Sequence, residues 1–505
     1  MMSLLDPTES ALPENHEAAL SQLSAGKPAL VWRKLIVDTE TPVGAALKLM
    51  KPGRGDFLLE SVQGGEVRGR YSLLGIDPDL VFRATGIAAQ INRAWQHDRD
   101  AFTALPGNAL DELRALVASC RIDVPAALPS ALACLVGYFG YETIGLVEKL
   151  PRAEQSELVL PDMLFTRPTV VLVFDRLSDE LFAIAPVWAE GGEPARLLEA
   201  AAERIDSALR KLSDPVPAEA RLPEAVDVTP QPVMPATDYA RMVTRAKDYI
   251  EAGDIFQVVL AQRFTAPFPL PPIALYRALR RINPSPFLYF LDMPGFALTG
   301  SSPEILVRIR DGEVTIRPIA GTRPRGKTAD EDRANEESLL ADPKERAEHL
   351  MLLDLGRNDV GRVARAGTVK VTESYTVERY SHVMHIVSNV EGTLLPGMTS
   401  MDVLKATFPA GTLTGAPKVH AMELIDQLEP TKRGLYGGAC GYLSYAGDMD
   451  VAIAIRTGII KNGTLYVQAA AGVVADSVPE LEWKETEHKA RALLRAAELV
   501  EEGLE

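Results

Sequence analysis

The chain has 505 residues, with 53 Lys and Arg against 69 Asp and Glu, for a formal net charge of −16. This acidic balance disfavours non-specific binding to nucleic acid or to an anionic membrane surface, and the length predicts several domains or one large composite domain. Three cysteines (Cys120, Cys134, Cys440) show no metal or CxxC spacing and read as small buried residues of a reducing cytosol, and neither a signal peptide nor an apolar run of about 18 residues is present, so a cytoplasmic protein without a membrane span is expected.

Residues 1–27 form a polar lead-in. From 28 to 189, apolar runs such as "ALACLVGYFGYE" and "VVLVFD" alternate with turn signals and predict a strand-rich region. Residues 190–236 change character: "PARLLEAAAERIDSALRKL" has helical spacing, and the proline-dense segment after it reads as an extended connector. The region 237–505 opens on an amphipathic helix, with Thr237 or Asp238 as N-cap and Gly253 as the stop, followed by the strand "IFQVVLAQRF". "FLYFLDM", "FALTGSS" and "ILVRIRDGEVTIRPI" are further strands, the last folded at Asp311-Gly312, and the segment from "GACGYLSY" to "AAAGVV" predicts three strands with a turn at Asn462-Gly463. Hairpins in succession, with helices in separate blocks, predict an α+β fold of antiparallel sheets with flanking helices.

Five stretches carry chemistry. "IRPIAGTRPRG" concentrates three arginines and two glycines and could hold an anion. "PKERAEHLMLLDLGRND" and "PELEWKETEHKARALL" each place an E-x-x-E pair, Glu345 with Glu348 and Glu482 with Glu485, on one face of an early helical turn. Four carboxylates without His or Cys would suit Mg²⁺, although early-helix glutamates also serve simply as solvated partners of the helix dipole. "FPAGTLTGAPKVHAMELI" sets Gly415 and Lys418 at a helix start, either as an anion site or as a capped turn, without Walker A spacing. "HVMH" would put His382 and His385 on one helix face, with no third ligand near to argue for zinc.

"PIAGTRPRG", "LDLGRNDVGRV", "FPAGTLTGAPK", "GLYGGACGYL" and "VQAAAGVVADSVPELEWKET", in this order, resemble the chorismate-utilising enzymes, most nearly the large subunits of anthranilate synthases. The likeness is dense from Ala236 to Ala497 and looser earlier, through "DFLLESV" and "GYFGYE". It implies a layered α+β sandwich whose substrate, chorismate, carries two carboxylates. By this resemblance Tyr436, Arg456, Ala471 and Gly472 hold those carboxylates, Gly321 and Thr322 line the site, and Gly415 and Lys418 lie nearby. It also implies Mg²⁺ on Glu348 and Glu485, with Glu345 and Glu482 contacting it directly or through water. Relatives often have Gly-Ala-Gly where this chain has Ala470-Ala471-Gly472, which bears on the backbone contact at Ala470.

The resemblance also separates reactions. Isochorismate-forming relatives carry a lysine at the position of Gln257, and aminodeoxychorismate synthases one at Ala320; this chain has neither. Ammonia needs no base to become a nucleophile, so the pattern implies amination of the ring, with Glu304 as acid for the departing hydroxyl and His385 in the later loss of pyruvate. With no glutaminase nucleophile in the chain, a separate glutamine amidotransferase subunit is implied. "LLES" and "NPSPFL" resemble a tryptophan feedback site, implying that Glu60 or Ser61, with Asn283, Pro286, Phe287 and Leu288, contacts L-tryptophan as inhibitor. Alternatives are an aminodeoxychorismate synthase and a non-catalytic chorismate-binding homologue.

Overall fold

An apolar run without alternation suits a strand covered on both faces, and all six residues of Val170–Asp175 are buried. In the computed structural model, which describes residues 13–63, 67–129, 131–151, 157–217, 229–380, 383–501 and 503, this strand belongs to one of two antiparallel sheets. Each sheet has twelve strands among the described residues.

The first sheet runs from Ala29–Ile36 through Glu180–Val187, Val170–Asp175, Val67–Ile76 and Asp56–Gln63. It continues through Phe287–Met293, Phe296–Ser302, Thr457–Lys461 and Thr464–Val473 to Gln257–Pro267. The second runs from Ile319–Pro324 through Val383–Thr393, Glu313–Ile316, Ile305–Arg310, Met449–Ile453 and Ala439–Ser444 into Ala133–Phe139, Met163–Arg167 and Leu80–Thr85. Strands from both sides of the connector therefore share each sheet. Leu288 pairs with Glu60 in the first, and Cys440 with Tyr138 in the second.

The largest core lies between the sheets and joins Leu30, Trp32 and Phe57 of the first to Phe82, Phe139 and Phe165 of the second. The Phe139 and Phe165 rings meet at 4.8 Å, and burying such a side chain contributes roughly 1.5–3 kcal/mol. Ala29 and Val31, alternating with Leu30 and Trp32, enter a second core under the helices Pro42–Leu49 and Pro194–Leu212. The helices Pro272–Ile282 and Pro479–Glu501 cover the other end of the first sheet, while Pro343–Gly361 packs on the second. No helix among the described residues is long and apolar enough to cross a membrane.

The α+β reading holds, and both hairpin dipeptides sit at turns, with Asp311 and Asn462 at positive φ. Three local expectations are corrected. His385 lies in the strand Val383–Thr393, not on a helix, because "HIVSNV" is β-branched and one face of it is core; His382 lies outside the described residues. The helix expected from Thr237 or Asp238 begins at Ala236 behind Pro235, whose missing N–H costs nothing there. The C-terminal hairpins comprise four strands, since Gly447 at φ +84° turns the chain between Ala439–Ser444 and Met449–Ile453. The polar lead-in also includes a helix, His16–Ser24, held by Asn15 Nδ2 donating to the Leu30 carbonyl at 2.8 Å.

Candidate active site

Glu304 and Arg456 occupy two of the places where the chain crosses from one sheet to the other. Glu304 links Phe296–Ser302 to Ile305–Arg310, and Arg456 links Met449–Ile453 to Thr457–Lys461. Two backbone hydrogen bonds tie the crossovers together: Ile453 N–H to the Glu304 carbonyl at 3.0 Å, and Ser301 N–H to the Arg456 carbonyl at 3.1 Å. Burial pushes the Glu304 carboxyl up to about 8, against the opposing pull of the Thr412 hydroxyl, which donates to Oε1 at 3.2 Å, and of Arg456. At neutral pH it is a protonated acid. Arg456 adopts φ +50°, and its guanidinium makes no side-chain hydrogen bond among the described residues. It is a fork of donors ready for a carboxylate.

His385 follows from the opposite sheet. Its Nδ1 lies 2.8 Å from the Gly321 carbonyl and 3.1 Å from the Thr322 hydroxyl. A carbonyl only accepts, so Nδ1 carries the proton and Nε2 keeps its lone pair. Burial lowers the imidazole to about 4, with Arg456 adding to the effect, so the ring is neutral. Ala320, where a covalent route would need a lysine, pairs with Ile386 beside this histidine. The first strand's counterpart is Gln257, whose side chain bonds Glu348 and lies against Gly472. A Cβ on Gly472 would stand 2.8 Å from Gln257 Nε2, and one on Gly415, at φ +135°, would stand 2.1 Å from the Gln257 carbonyl. Both glycines therefore allow the three segments to pack side by side.

The paired glutamates lie in the first two turns of Pro343–Gly361 and Pro479–Glu501, and both pairs feel the same two lysines, Lys344 and Lys489. Burial raises the carboxyls of Glu348 and Glu482; Glu345 adds to the rise in the first and Glu485 in the second, and Lys489 and Lys344 oppose it in both. Lys489 Nζ bonds Glu485 at 2.7 Å and the Ala470 carbonyl at 2.9 Å. Glu345 accepts from Arg323 Nη1 at 3.1 Å. Among the described residues no three carboxylate, imidazole or thiolate side chains stand close enough together to hold a metal ion. The donor chemistry nonetheless fits a hard cation: all oxygen and partly buried, with Glu348 and Glu482 both raised by burial and by a neighbouring carboxylate.

The arginines of "IRPIAGTRPRG" hold the chain's own carboxylates rather than an outside anion. Arg317 bonds Glu378 at 2.5 Å, Arg323 bonds Asp342 at 2.7 Å and Arg325 bonds Asp332 at 2.8 Å. Neighbouring acidic side chains on other elements, invisible to a local pattern, neutralise them. Lys418 likewise bonds the buried Asp359 at 2.9 Å and ties two helices together. Tyr436 is buried with its hydroxyl hydrogen-bonded to the Ala470 backbone, beside Ala471 and Gly472 on the strand Thr464–Val473. Thr412, Lys489 and Tyr380 join the site; Thr412 belongs to the Gly/Thr-rich turn before Lys418, Lys489 stands at i+4 from Glu485, and Tyr380 has no local signal.

A separate cavity of about 1010 Å³ lies between the sheets, lined by Ser61, Pro286, Phe287, Leu288, Gly441 and Tyr442, among others. Glu60 also lines it, but its carboxylate is spent. Arg280 and Tyr276 reach Oε2, each at 2.6 Å, and Arg176 reaches Oε1 at 2.5 Å, which outweighs burial and holds the group below its usual range. Asn283 is not among the lining residues; its carbonyl accepts from Ser301 at the end of Pro272–Ile282.

The model of the chorismate binding enzyme family matches residues 57–495. Anthranilate synthase component 1 of Cereibacter sphaeroides is 54% identical over 476 residues, covering 94% of this chain and 95% of that protein. The same-named protein of Pseudomonas aeruginosa is 48% identical, covering 93% and 95%. The crystal structure of anthranilate synthase component I from Streptococcus pneumoniae superposes with a TM-score of 0.75 at 38% identity, covering 85% of this chain and 92% of that one. With its acid, its open guanidinium and its neutral histidine placed where the sheets exchange strands, the chain belongs to the chorismate binding enzymes.

Proposed function

We propose that this chain is an anthranilate synthase component 1, converting chorismate and ammonia to anthranilate, pyruvate and water. The observation that carries this reading is the neutral Glu304 beside the open Arg456 guanidinium, with His385 presenting a bare Nε2. Arg456 holds a substrate carboxylate, with Tyr436 and the backbone at Ala471 and Gly472 alongside. Glu304 gives its proton to the departing ring hydroxyl as ammonia bonds to the carbon ortho to the ring carboxylate. His385 Nε2 then accepts the proton from that aminated carbon while the enolpyruvyl C–O bond breaks, so the ring becomes aromatic and the departing enolate takes up a proton at its methylene carbon to leave as pyruvate. Mg²⁺, when bound by Glu348 and Glu485 with Glu345 and Glu482, supplies positive charge that offsets the ring carboxylate. Gly321, Thr322 and Gly415 shape the walls; Lys418 supports them through Asp359. Ammonia comes from a glutamine amidotransferase partner, and the complex works in the cytoplasm.

Chorismate, Mg²⁺ and ammonium at mildly alkaline pH should yield anthranilate fluorescence; a non-aromatic amine as sole product would favour the aminodeoxychorismate reading. His385→Met should slow elimination more than amination, so that an aminated, non-aromatic intermediate accumulates. Chromatography of the reaction mixture checks this, and equal loss of both steps would remove the step-specific role.

The cavity between the sheets takes L-tryptophan as feedback inhibitor, with Ser61, Pro286, Phe287 and Leu288 as contacts. Residues 28–189 are in this sense the regulatory part of the chain and 237–505 the catalytic part. Ser61→Phe and Pro286→Leu should relieve inhibition with little change in uninhibited turnover, because the cavity is distinct from the Glu304–Arg456 site. Inhibition curves measure the effect, and an unchanged midpoint for either variant removes that residue from the effector site.

A further inference from the structure

His385 Nδ1 is fixed by the Gly321 carbonyl and the Thr322 hydroxyl, but no hydrogen bond among the described residues holds its Nε2, so the tilt of the ring depends on packing. That packing comes from the residue just past the end of the neighbouring strand Lys370–Arg379. Tyr380 packs edge to face against His385, with ring centroids 5.5 Å apart and planes at 64°. The tyrosine is itself pinned at both ends: its N–H donates to the Val383 carbonyl at 2.8 Å, and its own carbonyl accepts from Arg325 Nη1 at 2.8 Å. Its hydroxyl donates to Glu378 Oε2 at 2.9 Å.

Glu378 is the cross-strand partner of His385, so the two side chains share a face of the sheet. Its other oxygen accepts from Arg317 Nη2 at 2.5 Å. A continuous chain of contacts thus runs from Arg317 through Glu378 and the Tyr380 hydroxyl to the face of the imidazole. Arg317, Glu378 and Tyr380 all line the large cavity, whereas His385 does not. Tyr380 is therefore the wall between the cavity and the histidine, and it is only 5% exposed.

We propose that Tyr380, oriented by the Arg317–Glu378 pair, is the positioning residue that keeps His385 Nε2 aimed at the substrate for the second chemical step. This rests on the reading of His385 as the residue of that step. A small misorientation of a proton-transferring ring costs rate in that step and not in binding. Tyr380 makes no hydrogen bond to Glu304, Arg456 or the glutamate pairs among the described residues; its hydroxyl reaches Arg456 only through their charges, so amination should be affected far less than elimination.

The test uses the full chain with chorismate, Mg²⁺ and ammonium, and chromatography of intermediate against anthranilate. Tyr380→Leu should raise the ratio of aminated intermediate to anthranilate about tenfold or more, with the chorismate KM within about twofold of the parent. Tyr380→Phe keeps the ring and loses only the hydroxyl. Together with Glu378→Gln it should give a smaller rise, equal in the two variants and not increased in the double variant, as expected of residues acting through one contact. A ratio unchanged in Tyr380→Phe and Glu378→Gln, both of which preserve side-chain volume, overturns the proposal even if Tyr380→Leu fails to fold. Equal loss of both steps without intermediate would make Tyr380 a packing residue and overturn it as well. His385→Met serves as reference. If it accumulates intermediate and the Tyr380 variants do not, only this proposal fails; if it accumulates none, the reading of His385 falls and takes the proposal with it.

Discussion

Glu304→Gln should lower kcat by about 10²- to 10⁴-fold, the usual contribution of a positioned general acid, while leaving chorismate affinity nearly unchanged. Glutamine keeps the volume of the neutral carboxyl and an oxygen to accept from Thr412, so the crossover and the Arg456 fork stay in place. It has no acidic proton to give. Steady-state kinetics with ammonium checks the split, and a rise in KM with unchanged kcat would make Glu304 a binding group instead. The parent enzyme should show the matching pH profile. Burial holds the proton on Glu304 up to about 8, so the acid is present below that pH and lost above it. With free NH₃ held constant, kcat should fall as pH rises through about 8. Stability follows the same sign: between the ordinary carboxyl pKa and about 8 the folded chain binds the extra proton, so stability declines as pH rises through that window. Thermal melts of the parent against Glu304→Gln should converge at acid pH and favour the variant above about 8.

If Glu348 and Glu485 hold Mg²⁺ as proposed, Glu348→Gln and Glu485→Gln should each reduce kcat/KM by at least about 100-fold, because each would remove a carboxylate from a cation whose charge is worth several kcal/mol to the reaction. Both variants should need more Mg²⁺ than the parent, and chelator should abolish the parent's activity until Mg²⁺ is restored. The fold should survive. Among the described residues Glu348 hydrogen-bonds Gln257 alone through its side chain, and Glu485 bonds the partly exposed Lys489, so neither is a pillar of the core. Near-parent turnover by both variants at limiting Mg²⁺, with native circular dichroism, would remove the pair from the metal site.

Some of this molecule is written locally. "VVLVFD" is apolar at every position because both faces of its strand are covered, and that can be read without a partner strand. Asp311-Gly312 and Asn462-Gly463 mark hairpins because their backbone must take positive φ. The helix Pro194–Leu212 follows from its apolar period alone. The motif blocks placed Glu304, His385, Arg456 and the glutamate pairs through resemblance, not through spacing. "HVMH", by contrast, fits a helical or an extended period equally well, and only pairing with Lys370–Arg379 and Ile319–Pro324 makes Val383–Thr393 a strand.

What the tertiary structure decided is which charges remain open. In sequence, Arg317, Arg323, Arg325 and Arg456 are equivalent cations. Three of them meet carboxylates from Lys370–Arg379, from the start of Pro343–Gly361 and from Ala329–Ala341. Arg456 alone of these four emerges at a sheet crossover, where the described residues offer it no hydrogen-bonding acceptor and leave its donors to a ligand. The same holds for Glu60 and Glu304. Both are strand-region carboxylates in sequence, yet one is held ionised by Arg280, Tyr276 and Arg176, while burial holds the other neutral against the pull of a single hydroxyl and of Arg456. A carboxyl's protonation depends on the sum of desolvation and of charges brought from distant segments, and that sum exists only once the chain has folded.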